Sequence, residues 1–217
     1  MIFEELNGVD SECRSYLVAD SGEALIVDPL LENVEAYLAR LAALRLRLAY
    51  AADTHTHADH FSGAKELARR TGARTAGAPQ AVVQVPLREG DTLTVGQLPV
   101  RAWASPGHTA DSLVLVLPDR VIAGDTLLIG ATGRTDLPTG DPEQEWTSLQ
   151  RLLELPEATG VWPGHDYNRC ASSTIGEEKR TNGRLLLGRK KFLAAMREPR
   201  PSKPARMAEA LAANTAP

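Results

Sequence analysis

A short run of histidines and one aspartate marks the part of the sequence with the clearest chemistry. The stretch Thr54-His55-Thr56-His57-Ala58-Asp59-His60 holds three of the five histidines in the chain. The other two, His108 and His165, stand in the loop-like segments Ser105-Pro106-Gly107-His108-Thr109 and Trp162-Pro163-Gly164-His165-Asp166. Buried imidazoles and carboxylates are costly unless a metal ion or hydrogen bonds compensate for them. The use of every histidine in such segments therefore indicates a metal site.

The elements that must position these residues follow from hydrophobic periodicity. Strands are predicted at 2–6, 13–19, 24–28, 46–52, 74–77, 93–95, 98–102, 113–117, 121–124 and 160–162, and helices at 32–44, 63–71, 143–154, 174–181 and 185–197. The candidate residues follow these strands, where a rigid scaffold brings polar groups together. Because hairpins and meanders alternate with helices, the sequence predicts an α+β protein, a four-layer αββα sandwich of two mixed sheets flanked by helices.

Length and composition describe an ordinary globular protein. The 217 residues suit a single domain, predicted over 1–198, with an irregular C-terminal tail over 199–217 that is rich in Pro and Ala. The chain is 43% hydrophobic and 24% charged, with a net charge of −4. The mild acidity argues against nucleic acid as a partner, because binding to phosphates usually needs a basic face.

The cysteines and the N-terminus bear on the compartment. Two cysteines, Cys13 and Cys170, are too few for a disulfide framework, which favours a reducing environment. The N-terminus resembles neither a signal peptide nor a transit peptide, and no apolar run approaches the roughly 20 residues of a membrane span. We therefore expect a cytoplasmic protein without a membrane partner. Cys170 could be a reactive thiol near the metal, but both cysteines are expected to be small buried packing residues.

The residue types restrict the metal without selecting it. Neutral imidazole and carboxylate ligands suit zinc, iron or manganese, and the lack of a neighbouring cysteine pair argues against a thiolate site. A lone His108 or His165 is more often a capping or core histidine than a ligand. That reading is weak for the whole set, because false motif matches rarely recur at three coordinated places in a chain.

Four motifs, taken in order, resemble the metallo-β-lactamase superfamily. They are H-x-H-x-D-H within Thr54–His60, G-H-T at Gly107–Thr109, G-D at Gly124–Asp125 and P-x-H at Pro163–His165. The resemblance implies the metallo-β-lactamase-type αββα fold. It leaves the reaction open, since the superfamily contains hydrolases, nucleases and oxygenases.

The segments between these motifs resemble the persulfide dioxygenases (sulfur dioxygenases, the ethylmalonic-encephalopathy-protein-like family). They include Gly124–Ile129, Gly133-Arg134-Thr135-Asp136, His165-Asp166-Tyr167, Thr181-Asn182, Lys203-Pro204 and Ala213-Asn214. This resemblance implies one Fe(II) per chain, bound by His55, His108 and Asp125, with coordination positions left for dioxygen and a substrate sulfur. It implies supporting roles, orienting ligands and bound water, for His57, Asp59, His60 and His165, which would hold a second metal in the zinc hydrolases.

The implied reaction converts glutathione persulfide, dioxygen and water to sulfite and glutathione, so the partners are glutathione persulfide and dioxygen, and a homodimer is the family expectation. Arg134 and Tyr167 are the candidate catalytic and substrate-binding residues, Arg134 for a carboxylate and Tyr167 as a hydrogen-bond donor near the sulfur. Arg134 could equally form a structural ion pair with Asp136, and Tyr167 could simply pack beside the metal loop. Asp166 is expected to be a supporting acceptor.

Two other functions compete with this one. A two-zinc thioester hydrolase of the glyoxalase II type would share every metal motif and also act on glutathione conjugates. Gly133-Arg134-Thr135-Asp136, the 203–214 segment and the short stretch beyond the core favour the oxygenase. The third candidate is a non-catalytic scaffold with a structural metal. Structural zinc sites usually close all four positions, often with cysteine, and the motifs lack that signature.

Overall fold

The first of two six-stranded sheets carries the start of the histidine loop, the segment 53–63 that contains His55, His57 and His60. In the computed structural model, which describes residues 1–7, 11–167, 169–198 and 202–216, its strands are β1 (Ile2–Glu5), β2 (Tyr16–Asp20), β3 (Glu23–Val27), β4 (Arg47–Ala52), β5 (Arg74–Gly77) and β6 (Val85–Pro86). They lie in that order. β1, β2 and β3 pair antiparallel, while β3 to β6 pair parallel. The sheet is therefore mixed.

The second sheet carries the remaining motifs. Its strands are β7 (Thr92–Val95), β8 (Leu98–Ala104), β9 (Leu113–Val116), β10 (Arg120–Gly124), β13 (Gly160–Pro163) and β14 (Ser173–Thr174). They lie in the order β14-β13-β10-β9-β8-β7, and β10 with β13 is the parallel pair. A small hairpin, β11 (Leu127–Leu128) with β12 (Ala131–Thr132), follows β10 and was not predicted from the sequence.

Helices cover the outer faces of both sheets. α1 (Val34–Leu44) and α2 (Ala64–Thr71) contribute to a core with the outer face of the first sheet. α3 (Pro142–Leu152), α4 (Ile175–Thr181) and α5 (Gly188–Arg197) do so on the second sheet. α6 (Met207–Thr215) packs near the histidine loop. Short 3-10 turns precede α1 and α5. The αββα four-layer arrangement predicted from the sequence is confirmed.

Alternation of side chains along the strands explains the layers. In β9, Leu113 and Leu115 point into the core between the sheets, whereas Val114 packs in the outer core with Phe192. A strand buried on both faces reads as a continuous apolar run, as Leu113–Leu117 does. In the β7–β8 hairpin every second side chain is buried in the core between the sheets. The hydrophobic pattern therefore specifies which face each strand buries.

The strand directions bring the motifs to one edge of the sandwich. Parallel β3 and β4 deliver Asp28 and the histidine loop to the same edge of the first sheet. β8, β10 and β13 run in a common direction in the second sheet and deliver the His108 loop, Asp125 and the His165 loop. The rings of His55 and His108 lie 4.9 Å apart, so the two edges meet. The scaffold thus assembles one site from distant segments.

The C-terminal tail differs from the prediction of an irregular segment. Residues 207–215 form α6, and Ala210 on this helix is fully buried. Its run of alanines is a good helix-forming sequence, and packing against the domain stabilises it. The parts of the prediction that concern 199–201 and 217 lie outside the described residues. No helix in the described part of the chain combines the length and the apolar character needed to cross a membrane.

A buried tyrosine links the two sheets, and its loss should destabilise the fold. Tyr16 of β2 is fully buried, and its hydroxyl donates to the carbonyl of Pro163 in β13 at 2.6 Å. We expect Tyr16→Phe to lower the free energy of unfolding by about 1 to 3 kcal/mol, because it leaves a buried carbonyl without its donor. Urea denaturation at matched metal loading measures this change.

Tyr50→Phe provides the control for that change. The Tyr50 hydroxyl accepts from the Arg74 guanidinium at 2.5 Å in an exposed position, so its removal should change stability by about 0.5 kcal/mol or less. Equal losses in the two variants would contradict the claim that the inter-sheet hydrogen bond stabilises the fold.

Candidate metal centre

The first turn of the histidine loop is fixed by a buried carboxylate. Asp28, at the end of β3, accepts from the Thr54 backbone N–H at 2.6 Å and from the Thr54 hydroxyl at 2.8 Å. The Thr54 carbonyl in turn accepts from the N–H of Leu113 in the second sheet at 2.7 Å. Thr54 is therefore tied to both sheets immediately before the first histidine.

The imidazole of His55 is neutral, and its tautomer is defined by a hydrogen bond. Its Nδ1 lies 2.9 Å from the Thr54 hydroxyl oxygen. Because that hydroxyl already donates its proton to Asp28, it accepts from His55 Nδ1–H, which leaves the lone pair on Nε2. Burial, with the neighbouring imidazoles of His57 and His108, lowers the pKa of His55 to about 3. Neutral imidazole is the form that binds metals.

His108 is oriented in the same way from a different loop. Its Nδ1–H donates to the backbone carbonyl of Arg134 at 2.7 Å, and its Nε2 lies 3.6 Å from a carboxylate oxygen of Asp125. Gly107 before it has φ +150°, and a Cβ there would lie 2.3 Å from the Cα of Glu145 on α3. Glycine is therefore required for the loop to pass so close to that helix.

Asp125 completes a group of three candidate ligands. One ligand atom from each of His55, His108 and Asp125 lies within 4.8 Å of the other two, and all three residues are buried. Burial alone would raise the pKa of Asp125, but the nearby His165 and His108 imidazoles hold it below its usual value. The structure thus brings together the two histidines and the carboxylate that the family resemblance implied as ligands.

A second group forms around Asp59. One of its carboxylate oxygens accepts from His60 Nδ1 at 3.0 Å and from His165 Nε2 at 3.0 Å. His165 Nδ1 also donates to Asp125 at 2.7 Å, so this imidazole bridges two carboxylates. Burial alone would lower the pKa of both imidazoles. The neighbouring carboxylates outweigh burial, and they raise the pKa of His60 to about 10 and that of His165 well above its usual value. Both are cationic at neutral pH.

The cysteines differ from the expectation of buried packing residues. Cys13 is half-buried, with its sulfur 3.4 Å from Asp59 Oδ2 and 3.5 Å from His165 Nε2. Burial raises the pKa of the Cys13 thiol, but hydrogen bonds with His165 and His60 outweigh it and lower the pKa. Cys170 is exposed. The cysteine beside the site is thus Cys13, and no sequence pattern favoured it over Cys170.

His57 belongs to a third group, on the side of the loop facing Asp28. Its Nε2 donates to Asp28 at 3.1 Å and lies 3.8 Å from Asp53. Burial, with the charge of His60, lowers its pKa to about 4. Its buried Nδ1 has no hydrogen-bond partner among the residues that the structure describes. The seven residues of the sequence motifs are therefore divided among three adjoining groups.

His108 and Asp125 line a cleft that also contains both candidate substrate residues. The residues lining this cleft are Ala58, Asp59, His108, Asp125, Leu128, Thr132, Gly133, Arg134, Leu137, His165, Tyr167 and Pro204. Tyr167 is 60% exposed, and its ring stacks on His165 with the centroids 5.5 Å apart. Arg134 forms a two-pronged ion pair with Asp136 at 2.7 and 2.8 Å and donates to the Ser202 carbonyl at 2.5 Å. The structural ion pair, one of the two roles considered for Arg134, is thus present.

Asp166 supports the loop that carries His165. Its carboxylate accepts from Arg14 at 2.5 Å and from the Cys170 backbone N–H at 3.0 Å. Arg14 also pairs with Glu5, and its side chain is 3% exposed. These bonds tie the His165 loop to the first sheet and to the chain that follows it.

For several residues that position the site, the sequence did not reveal that role. Asp28 and Thr54 hold His55, and Asp111 accepts from the Thr56 backbone N–H and hydroxyl at 3.1 and 2.5 Å. Asn214 of α6 donates to the carbonyls of His57 and His60. A carboxylate directly after a buried strand was a usable signal for Asp28. The other contacts join residues far apart in sequence and leave no local pattern.

Comparisons with known proteins agree with this geometry. The family model of the metallo-beta-lactamase superfamily matches residues 9–82 and 76–165. The chain is 35% identical to the human mitochondrial persulfide dioxygenase ETHE1, over 92% of this chain and 82% of that protein. It is 32% identical to a hydroxyacylglutathione hydrolase of Cereibacter sphaeroides, over 94% and 82%. The crystal structure of ETHE1 from Myxococcus xanthus superposes with a TM-score of 0.96 at 39% identity, covering 99% and 98% of the two chains.

Identity, coverage and superposition therefore agree with the family resemblance seen in the sequence motifs. The chain belongs to the metallo-β-lactamase superfamily and, within it, to the persulfide dioxygenase family of oxidoreductases.

Proposed function

We propose that the protein is a persulfide dioxygenase with one Fe(II) per chain. The reaction is glutathione persulfide plus dioxygen and water giving glutathione and sulfite. The observation that carries the proposal is the composition of the ligand group: His55, His108 and Asp125 converge, whereas His57, Asp59 and His60 are hydrogen-bonded in separate groups. Two histidines and one carboxylate with positions left open are typical of non-haem Fe(II) oxygenases.

The donor atoms fit such an ion. Both histidines have Nδ1 occupied by a hydrogen bond and Nε2 available, and Asp125 is held as a carboxylate. Partners on the far nitrogen fix ring orientation and raise the basicity of the ligand. A bound Fe(II) would supply the redox chemistry and adjacent positions for dioxygen and the persulfide sulfur.

The protein's own part in the reaction is to hold both reactants together and restrict water. The cleft has apolar side chains, Leu128 and Leu137, beside the polar groups around Asp125. Tyr167 is exposed at this cleft, and its hydroxyl can donate a hydrogen bond to the substrate. Arg134 offers a guanidinium that is already shared with Asp136, so a glutathione carboxylate would join an existing ion pair. Proximity of the bound reactants is the main source of rate.

A second candidate is a glyoxalase II-type hydrolase with two zinc ions acting on S-lactoylglutathione. Two observations favour it: the Cereibacter relative is named hydroxyacylglutathione hydrolase, and Asp59, His60 and His165 converge where a second ion could bind. Against it, His165 already donates hydrogen bonds to both Asp59 and Asp125, and a second ion would have to displace them. The identity is also higher to the dioxygenase, at 35% for human ETHE1 against 32% for the Cereibacter hydrolase.

The support of His55 by Asp28 gives a test of the ligand group. We expect Asp28→Asn to weaken metal binding by about 10- to 100-fold, because an amide nitrogen cannot accept from Thr54 and the freed hydroxyl can donate to His55 Nδ1. That donation would move the imidazole proton to Nε2. The measurement is a competition titration against a chelator.

Asn suits this position, because Asp28 has φ +50° and Asn tolerates the left-handed region. Asp20→Asn is the matched control, since Asp20 is far along the same hairpin and accepts from the Gln97 backbone N–H in an exposed position. If Asp28→Asn retains the metal as well as the control does, the inferred tautomer support is wrong.

The proposed reaction is tested on protein purified without added metal. We expect about one iron per chain and oxygen uptake that depends on glutathione persulfide, with sulfite as a product, because the ligand group offers three donors and open positions. Metal analysis, an oxygen electrode and sulfite determination measure these quantities. Two zinc ions per chain, hydrolysis of S-lactoylglutathione and no oxygen uptake would instead establish the hydrolase.

A pair of alanine variants separates one metal ion from two. Asp125→Ala should lose the iron and the activity, since it removes a proposed ligand. Asp59→Ala should retain most of the iron while lowering turnover, because Asp59 acts through His165. Iron content per chain, measured after extensive dialysis, gives the comparison. Equal loss of metal in both variants would mean that Asp59 is itself a ligand.

A further inference from the structure

The middle of the histidine loop is held from the C-terminal helix. The loop joins β4, which ends at Ala52, to α2, which begins at Ala64, without a helix or strand between them. A metal site needs its ligands and their supports within roughly 0.5 Å of the productive geometry, which an unsupported loop does not provide. The contacts that restrain this backbone therefore decide how well the site is formed.

Both ends of the loop are secured by the sandwich itself. At the start, the Asp53 N–H donates to Ala76 at 3.1 Å and the Thr54 carbonyl accepts from Leu113 at 2.7 Å. At the end, the Leu31 N–H donates to Phe61 at 2.9 Å and the Gly63 N–H donates to Pro29 at 2.6 Å. These hydrogen bonds leave the backbone of residues 57–60 to be restrained by something else.

One amide side chain supplies that restraint. Asn214 Nδ2 donates to the carbonyl of His57 at 2.9 Å and to the carbonyl of His60 at 2.9 Å, and its Oδ1 accepts from the Ser62 N–H at 2.9 Å. In the described part of the chain, the two bonds to the His57 and His60 carbonyls are the hydrogen bonds found for the backbone of 57–60. Asn214 thus uses both N–H groups and its oxygen on one loop, which an aspartate cannot do because it has no donor.

The helix that carries Asn214 is itself anchored to the same region. Ala210 is fully buried, the Arg206 guanidinium lies 4.6 Å from the centre of the Phe61 ring, and Lys65 donates to the carbonyl of Ala216. These contacts occur at the beginning, the middle and the end of α6. The helix is therefore positioned well enough to fix the loop.

We propose that Asn214 is a positioning residue for the metal site, acting through the backbone of His57 and His60. The hydrogen bonds from Asn214 to these carbonyls fix the backbone segment from which the side chains of His57, Asp59 and His60 extend. Asp59 in turn holds His165, and His165 holds Asp125. Loosening residues 57–60 would therefore reach a proposed ligand through two hydrogen bonds. The inference rests on the proposed function only in taking the site to bind a metal, whatever the substrate.

Asn214→Asp tests the proposal, because it keeps the size of the side chain and removes both donors. We expect the variant to lose its metal to a chelator about 10- to 100-fold faster than the unmodified protein. Hydrogen exchange should accelerate in the amides of 57–62 and stay unchanged in β4. With persulfide as substrate, kcat should fall while KM changes by no more than roughly twofold, since the substrate residues are untouched.

Thr215→Ala is the control, because the Thr215 hydroxyl donates within α6 to Leu211. Equal metal loss and equal exchange in Asn214→Asp and Thr215→Ala would overturn the proposal. Asn214→Gln keeps the amide and should retain the metal longer than Asn214→Asp does. If Asn214→Asp fails to fold, Asn214→Ala decides, because it removes both donors without adding a charge: folded protein that loses metal faster than Thr215→Ala supports the role, and folded protein that loses it no faster overturns it.

The readouts also separate this inference from the reaction. Chelator-driven metal loss and hydrogen exchange do not depend on persulfide turnover. Absence of oxygen uptake in the unmodified protein would therefore reject the dioxygenase proposal, while faster metal loss in Asn214→Asp would still support the positioning role.

Discussion

The buried carboxylate of Asp28 is the interaction on which the metal centre depends. It is 1% exposed and lies beneath the histidine loop, where it accepts from the Thr54 N–H, the Thr54 hydroxyl and His57 Nε2. A buried charge without such partners would cost several kcal/mol, so the loop must bring these donors to it. The tautomer of His55 follows. Because the Thr54 hydroxyl donates its proton to Asp28, its oxygen can only accept from His55 Nδ1–H. The Asp28 backbone at φ +50° is a local strain that this network sustains.

Several other ionisable groups near the site form pairs that connect the two sheets. His165, from the second sheet, bridges Asp59 of the histidine loop and Asp125 after β10. Arg14 links Glu5 of β1 with Asp166, and the Cys13 sulfur lies against the same Asp59 oxygen. Burying each pair costs desolvation free energy, but the pair fixes the orientation of its side chains. Buried charges are often found in such pairs at functional sites.

The sequence predicted most of the fold because the information was local. The strand and helix patterns in 24–28, 46–52 and 113–117 depend on neighbouring residues, and the structure has strands there. Ligand convergence followed from the family resemblance, since strand ends alone do not specify which side chains face one another. The network behind the ligands was not accessible, because Asp28–Thr54, Asp111–Thr56 and Asn214–His57 pair residues 26 to 157 positions apart. The α6 helix was missed because Pro and Ala content was read as a loop, although alanine also favours helices.

The charges around the three candidate ligands bear on the kind of substrate proposed for the site. His55 and His57 are neutral, while the cations His60 and His165 are balanced by the carboxylates of Asp59 and Asp125. A divalent ion added to this balanced group leaves an excess of positive charge in a buried setting, where Coulomb interactions are strong. An ionised persulfide sulfur compensates that charge, whereas a neutral thioester carbonyl does so only by polarisation. Under the proposed function, this charge balance would therefore suit an ionised sulfur better than a neutral thioester carbonyl.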